Sequence, residues 1–215
     1  MDERPTLIYL FRHGEVVHAE RRRFVGHLDV PLSPHGEAQS VAQAARLRAV
    51  KLTAIFTSDL TRAVRTGEII GAPHGLTPQP LPALREMNMG RWDGLTSAEL
   101  EAREPEAFKE WMSRVGEYPF PEGEDVARLV ARAWPAFEAI AAGHAGQSVA
   151  VVAHAGPNRA ILCRALGLPL TRLIAFGQDY AALTLLEHAA GRWRLLRLNE
   201  CPAPPMTDTP QIDVT

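Results

Sequence analysis

Apolar residues run without polar alternation from Leu7 to Phe11 and again from Val149 to Ala153. A strand with one wet face would alternate, so Thr6–Phe11 and Ser148–Ala153 predict strands buried on both faces, as a parallel sheet requires. Ala54–Thr57 predicts a shorter strand of the same kind. Between these runs the apolar spacing is helical. Leu32-Ser33-Pro34 reads as a helix start, with Ser33 as N-cap and Pro34 in the first helical position. That helix runs to about Val50 and buries Ala38, Val41, Ala42 and Ala45. Ser58 or Asp59 caps the next, whose inner stripe is Leu60, Ala63, Val64, Gly67 and Ile70.

Gly71 to Pro82 is rich in proline and glycine and reads as a connector, with Leu81–Leu84 as a short edge strand. Arg85–Gly94 is an irregular loop, followed by helices at about Ser97–Arg103 and Pro105–Val115. A further helix starts near Glu124 and carries Val126, Leu129, Val130, Ala133 and Phe137. Pro135 falls inside it and predicts a kink or a break. After the second buried strand, Ile161, Leu162, Ala165 and Leu166 mark a helix that Gly167 caps. Ala181–His188 and Arg192–Asn199 then pair through a turn at Gly191. This alternation predicts an α/β three-layer sandwich, a mostly parallel central sheet with helices on both faces.

Composition narrows the class. A chain of 215 residues, 46% hydrophobic and 22% charged, suits one sizeable core. There is no internal repeat or low-complexity linker, so residues 1–200 read as one domain and the Pro-rich 201–215 as a poorly ordered tail. A formal net charge of -2 gives no reason to expect nucleic acid or an anionic membrane as partner. No apolar run approaches the roughly 20 residues that span a bilayer. Met1–Pro5 lacks the regions of a signal peptide. Cys163 and Cys201 make no disulfide framework, so a reducing cytoplasm is expected. Oligomeric state is not readable from the chain.

The chemistry gathers where the strands stop. Both buried runs end in a histidine with glycine close behind, His13-Gly14 and His154-Ala155-Gly156. In open α/β sheets ligands sit beyond the carboxyl ends of the strands, and parallel neighbours would set both imidazoles on one rim. Arg12 reaches that rim from a strand end, and Arg62 from a helix start, where anions are held. Glu86 arrives on a loop. The basic run Arg21-Arg22-Arg23 is more ordinary, and Arg21 and Arg22 read as a solvated face.

Five segments in order resemble the histidine phosphatase superfamily, in the branch named after phosphoglycerate mutase. They are Arg12-His13-Gly14-Glu15, Arg23-Phe24-Val25-Gly26 with Asp29–Ser33, Thr57–Ala63, Leu84-Arg85-Glu86 with Trp92-Asp93-Gly94, and Val152–Gly156. The resemblance implies that His13 is a nucleophile, that Arg12, Arg62 and His154 clamp a phosphoryl group, and that Glu86 does acid–base work. It also implies phosphate contacts from Gly14, Arg23, Gly26, Ala155 and Gly156. Guanidiniums then stand where other phosphatases use metal, and no His-Glu-x-x-His spacing appears, so neither metal nor cofactor is expected.

Departures bear on the substrate. Val16, Ala19 and Val25 stand where the family often has polar residues, which implies either a thinner phosphate shell or one that His18 and His27 fill in; Asp125 replaces a frequent Ser, and Ala155 a frequent Gly. The acid phosphatase branch is disfavoured by Glu15-Val16-Val17 and by His154-Ala155. Mutases carry a basic insert between the acid loop and the second histidine, whereas Met87–Phe120 has no paired arginines. The resemblance therefore implies a phosphatase of small phosphorylated metabolites, most like the α-ribazole and broad-specificity group. A phosphoglycerate mutase is the alternative; a phosphate-binding regulatory module is a second.

Overall fold

The computed structural model describes residues 4–115, 117 and 119–202. A six-stranded sheet in the order β3-β2-β4-β1-β5-β6 forms its centre. The strands are β1 (Thr6–Arg12), β2 (Leu52–Thr57), β3 (Gln79–Pro80), β4 (Ser148–Ala153), β5 (Leu183–Ala189) and β6 (Arg192–Glu200). The first four are mutually parallel, while β5 runs antiparallel to β1 and β6 antiparallel to β5. Ala190 and Gly191, at φ 49° and 71°, make the tight turn between the last two.

The unbroken apolar runs are explained by what covers them. In β1, Ile8 and Leu10 point into one core with Leu129 and Phe137 of α5 (Val126–Gly143) and Ile161 of α6 (Ala155–Ala165). Phe11 points into the other, with Leu47 of α1 (Pro34–Leu47) and Ala63 and Ile70 of α2 (Thr61–Gly71). Val149, Val151 and Ala153 of β4 join the first core and Ala150 and Val152 the second. Both faces are therefore dry, and the three-layer expectation holds. Two short helices, α3 (Ser97–Arg103) and α4 (Pro105–Ser113), carry the chain over the first core. There Trp92 is fully buried among Phe24, Phe108, Trp111 and Phe120.

Several local expectations need correction. Helix α1 is capped by Ser33 as expected, but its inner face is Gly36, Ser40, Gln43, Ala44 and Leu47. Ala38, Val41 and Ala45 face outward, with Val41 57% exposed. The rotation follows from two contacts. A Cβ on Gly36 would strike the Glu15 backbone, so α1 packs glycine-first against the loop after β1. That turns Gln43 inward, where its amide donates to the Ala181 and Glu200 carbonyls at 2.7 and 3.0 Å.

Helix α2 has Leu60, not Ser58 or Asp59, in the capping position. Its capping carboxylate comes from a distant loop: Asp29 accepts from the Thr61 amide at 2.9 Å and the Thr61 hydroxyl at 2.6 Å. Its inner stripe holds Leu60, Ala63, Gly67 and Ile70 as expected, with Val64 half-buried and Arg62 and Thr66 added. Leu81–Leu84 is not a strand. The edge strand is Gln79–Pro80, and Pro82–Leu84 is a 3-10 turn that drops Leu84 into the core. A proline with no N–H ends the ladder there. Helix α5 passes through Pro135 unbroken, because Pro135 lies on the exposed face where water can take the carbonyl it leaves unpaired. The proposed tail beyond Pro202 lies outside the described residues.

Candidate active site

Parallel pairing of β1 with β4 sets Arg12 opposite Ala153. The next residues, His13 and His154, therefore leave the sheet side by side, with ring centroids 5.0 Å apart at 60°. His13 Nδ1 lies 2.7 Å from the Gly14 carbonyl. A carbonyl can only accept, so Nδ1 carries the proton and Nε2 keeps its lone pair. Burial, then Arg12 and Arg62, hold this imidazole well below the ordinary histidine range. It is thus neutral near pH 7. His154 is fully buried and is lowered in the same way, by burial first and then by Arg62. Neither of its ring nitrogens has a partner among the described residues.

The two guanidiniums are held by carbonyls rather than carboxylates. Arg12 donates from Nη1 to the Gln178 carbonyl and lies 3.8 Å from the centroid of the Tyr180 ring. Arg62, in the first turn of α2, donates to the Leu28 and Gly26 carbonyls at 2.9 and 2.7 Å. Neither pairing cancels the charge, and the Nε of each is buried with no partner among the described residues. Partial charges that aim a cation without neutralising it are what an anion site needs.

Glu86 is 7% exposed and sits against the N-terminus of α6. The Gly156 amide reaches its two carboxylate oxygens at 3.1 and 3.2 Å, and the Met87 amide reaches Oε1 at 2.8 Å. The two amides fix the position of the carboxyl group at the helix start. The loop beneath is clasped by Arg132 of α5. Its Nη1 donates to the Ala83 and Arg85 carbonyls at 2.8 and 2.7 Å, and its Nη2 to the Glu86 carbonyl at 2.7 Å. The Glu124 carboxylate takes the remaining two donors, both at 2.8 Å. All five guanidinium N–H groups are thereby used. His27 adds Nε2 to the Glu86 carbonyl at 3.0 Å.

Arg12, His13, Arg62 and Glu86 line one cavity of about 720 Å³. His154 lies beside His13, fully buried, and does not line the cavity. Of the other expected residues, Arg23 and Ala155 line the cavity, although Arg23 also bonds Glu99 at 3.1 Å. Gly156 spends its amide on Glu86. Gly14 and Gly26 do not line the cavity: their amides bond Thr66 Oγ1 at 3.0 Å and Asp93 Oδ1 at 2.8 Å. Their carbonyls orient His13 and Arg62, so both act one residue back from the wall.

Arg21 and Arg22 are exposed, yet they line the cavity mouth and are more than a solvated face. His18 points to Glu20 and does not line it. Val16 and Val25 line the cavity and give it apolar wall where the family often has polar residues. Glu15 is occupied by the Ser33 hydroxyl at 2.8 Å, and Asp125 caps α5.

Sequence reasoning missed Tyr180, Arg132 and Arg159. Tyr180 lies in a loop with no motif around it. Arg159, which also lines the cavity, falls four residues after Ala155 on one helix face, and that spacing was available. Beside the main cavity an apolar annex of about 220 Å³, walled in part by Trp111, Phe120 and Ile174, shares Glu86, Ala155 and Arg159 with it.

A buried pair of histidines ringed by arginines at the carboxyl edge of a parallel sheet defines a phosphoryl-binding class. The profile of the histidine phosphatase superfamily (branch 1) matches residues 8–201, and the chain belongs to that family. It is 30% identical over 192 residues to phosphoserine phosphatase 1 of Hydrogenobacter thermophilus, covering 89% of this chain and 91% of that protein. A probable phosphoglycerate mutase, GpmB of Yersinia enterocolitica, is 35% identical over 162 residues, 75% of each chain. The solved structure of a mycobacterial glucosyl-3-phosphoglycerate phosphatase superposes with a TM-score of 0.83 at 32% identity. The match covers 92% of this chain and 100% of that one. No helix among the described residues is long and apolar enough to cross a membrane.

Proposed function

We propose that this chain is a metal-independent phosphomonoesterase that acts on a small phosphorylated metabolite through a phosphohistidine on His13. The observation that carries the reading is the bond from His13 Nδ1 to the Gly14 carbonyl, with Arg12 and Arg62 on the same cavity wall. It supplies a neutral imidazole with its Nε2 lone pair free beside two cations. In the first step Nε2 attacks phosphorus, the P–N bond forms and the ester P–O bond breaks. Charge spread over the equatorial oxygens is met by the guanidiniums of Arg12 and Arg62. Glu86 gives its proton to the departing alkoxide. In the second step the Glu86 carboxylate takes a proton from water, the water oxygen attacks phosphorus and the P–N bond breaks. Phosphate leaves and His13 is neutral again.

A phosphatase reading is supported by relatives whose names describe phosphatases of small phosphorylated molecules. The mutase reading differs only in what accepts the phosphoryl group from His13, a substrate hydroxyl in place of water, and the likeness to GpmB favours keeping it as the second reading. The domain reading extends over residues 1–200, and the unpaired Cys163 and Cys201 support a reducing cytoplasm. The test is turnover of p-nitrophenyl phosphate in EDTA together with acid-labile, base-stable phosphate trapped on the protein. Label and turnover should both vanish in His13→Ala. Equal labelling of both proteins removes His13 as nucleophile.

A further inference from the structure

Arg12 and Arg62 are held in different ways. Arg62 donates to two carbonyls, which together fix its plane. Arg12 donates to one, that of Gln178, and among the described residues it has no carboxylate partner. A single hydrogen bond leaves a planar fork free to turn about the axis of that bond. What blocks the turn is Tyr180, whose ring centroid lies 3.8 Å from Arg12 Cζ. At this separation the guanidinium lies flat on the ring, because an N–H pointing at the ring would hold Cζ farther out. The flat contact fixes the plane that the Gln178 bond leaves open, and Nη2 keeps no acceptor among the described residues.

Tyr180 is itself braced against the strand end that delivers Arg12 and His13. The Ala181 amide donates to the His13 carbonyl at 2.9 Å, and the Arg12 amide to the Ala182 carbonyl at 3.2 Å. The Ala182 amide closes a turn onto the Asp179 carbonyl at 3.2 Å. Ala181 has a left-handed backbone, φ 54°, and its carbonyl takes the buried Gln43 amide at 2.7 Å. The ring also packs on the nucleophile: its centroid lies 5.7 Å from that of His13, tilted by 52°. Tyr180 lines the main cavity, and its hydroxyl has no hydrogen bond to a described residue. The contact that the fold builds is made by the ring face.

We infer that Tyr180 is a positioning residue that orients the Arg12 guanidinium through its ring face, with the fork turned toward a phosphoryl group on His13. This rests on the phosphomonoesterase reading and adds to it a residue outside every motif segment. A ring quadrupole attracts a cation without neutralising it. A carboxylate in the same place would fix the plane as well, but it would cancel the charge that meets the phosphoryl oxygens.

The test uses the full chain and p-nitrophenyl phosphate. Tyr180→Leu removes the face and should lower kcat/KM roughly 5–30-fold, the worth of a cation–π contact out of water. Tyr180→Phe keeps the face and should rescue the rate to within about threefold of wild type, the scale of one ordinary hydrogen bond. In an Arg12→Ala background Tyr180→Leu should cost no more than about twofold, the scatter between independent sites, because the cation it orients is gone. Three results overturn the inference. Tyr180→Phe losing as much as Tyr180→Leu assigns the effect to the hydroxyl. Equal cost of Tyr180→Leu with and without Arg12 assigns it to packing. A rate in Tyr180→Leu as high as in Tyr180→Phe leaves the ring no role. Should Tyr180→Leu not fold, Tyr180→Phe and Tyr180→trifluorophenylalanine decide, since fluorine drains the ring face but leaves a ring of similar shape. A lower rate with the fluorinated ring upholds the assignment, and equal rates end it. Should wild type not cleave p-nitrophenyl phosphate, the phosphatase reading fails on its own. Calorimetric affinity for inorganic phosphate then compares the same variants, and the same orders of loss uphold or end the role of Tyr180.

Discussion

The Gly156 amide points between the two carboxylate oxygens of Glu86, 3.1 and 3.2 Å away, and no side chain separates the helix start from the acid. A Cβ on Gly156 would collide with Glu86 Oε1. Glycine at this position therefore serves the seat of the acid.

Two substitutions test that seat. Glu86→Gln removes the proton, and the pre-steady-state burst on an alkyl phosphate should fall by roughly 10²–10⁴, the usual worth of general acid catalysis. The burst on p-nitrophenyl phosphate should fall less, because nitrophenolate leaves without much help. Gly156→Ala should push Glu86 aside and show the same pattern at smaller amplitude. Arg62→Ala should lower both bursts alike, since the clamp meets charge whatever the leaving group. Equal losses on both esters in Glu86→Gln would mean that another group supplies the proton.

The clasp around the acid loop predicts a split between stability and chemistry. Arg132→Lys keeps a charge but cannot span carbonyls at Ala83, Arg85 and Glu86 together with the Glu124 carboxylate. With several charge-assisted bonds lost, destabilisation of about 3 kcal/mol is expected. The alkyl-phosphate burst should fall more than the aryl burst, as it does when Glu86 itself is displaced. Urea unfolding and the paired bursts check both parts. A stability loss with unchanged ratio of bursts would reduce Arg132 to a packing role.

The buried imidazoles predict how the chain responds to acid. His13 and His154 are both held below the ordinary range, chiefly by burial. Between about pH 6.5, where unfolded histidine titrates, and the lower folded values, the unfolded chain binds more protons. Stability is therefore full above that pH and declines as pH falls below it. His154→Asn cannot protonate in either state. Its stability slope below pH 6.5 should be shallower by up to about 1.4 kcal/mol per pH unit, one proton's worth. Urea midpoints measured from pH 5 to 7.5 give the slopes, and identical slopes would show that His154 titrates normally. For the same reason the acid limb of kcat/KM should lie below pH 6.5, because His13 stays nucleophilic into mild acid.

What the chain states by itself is local. Unbroken apolar runs at Leu7–Phe11 and Val149–Ala153 specify strands dry on both faces, and each hands its histidine to the same rim because parallel neighbours share a direction. Ser33 before Pro34 and Gly167 after Leu166 mark helix ends through bonds that close within one turn. The order of the motifs then places Arg12, Arg62 and Glu86. Tertiary structure decided which groups hold them. Asp29 caps a helix 32 residues away, Gly26 aims Arg62 across 36 residues, and Gly156 seats Glu86 across 70. It also rotated α1 so that Gln43 faces inward and Val41 outward, against the apolar pattern. Periodicity and capping depend on neighbours within a turn or a strand pair. A buried amide, carboxylate or guanidinium is settled by whichever distant carbonyl or N–H the packed sheet brings within about 3 Å, and no spacing along the chain encodes that distance.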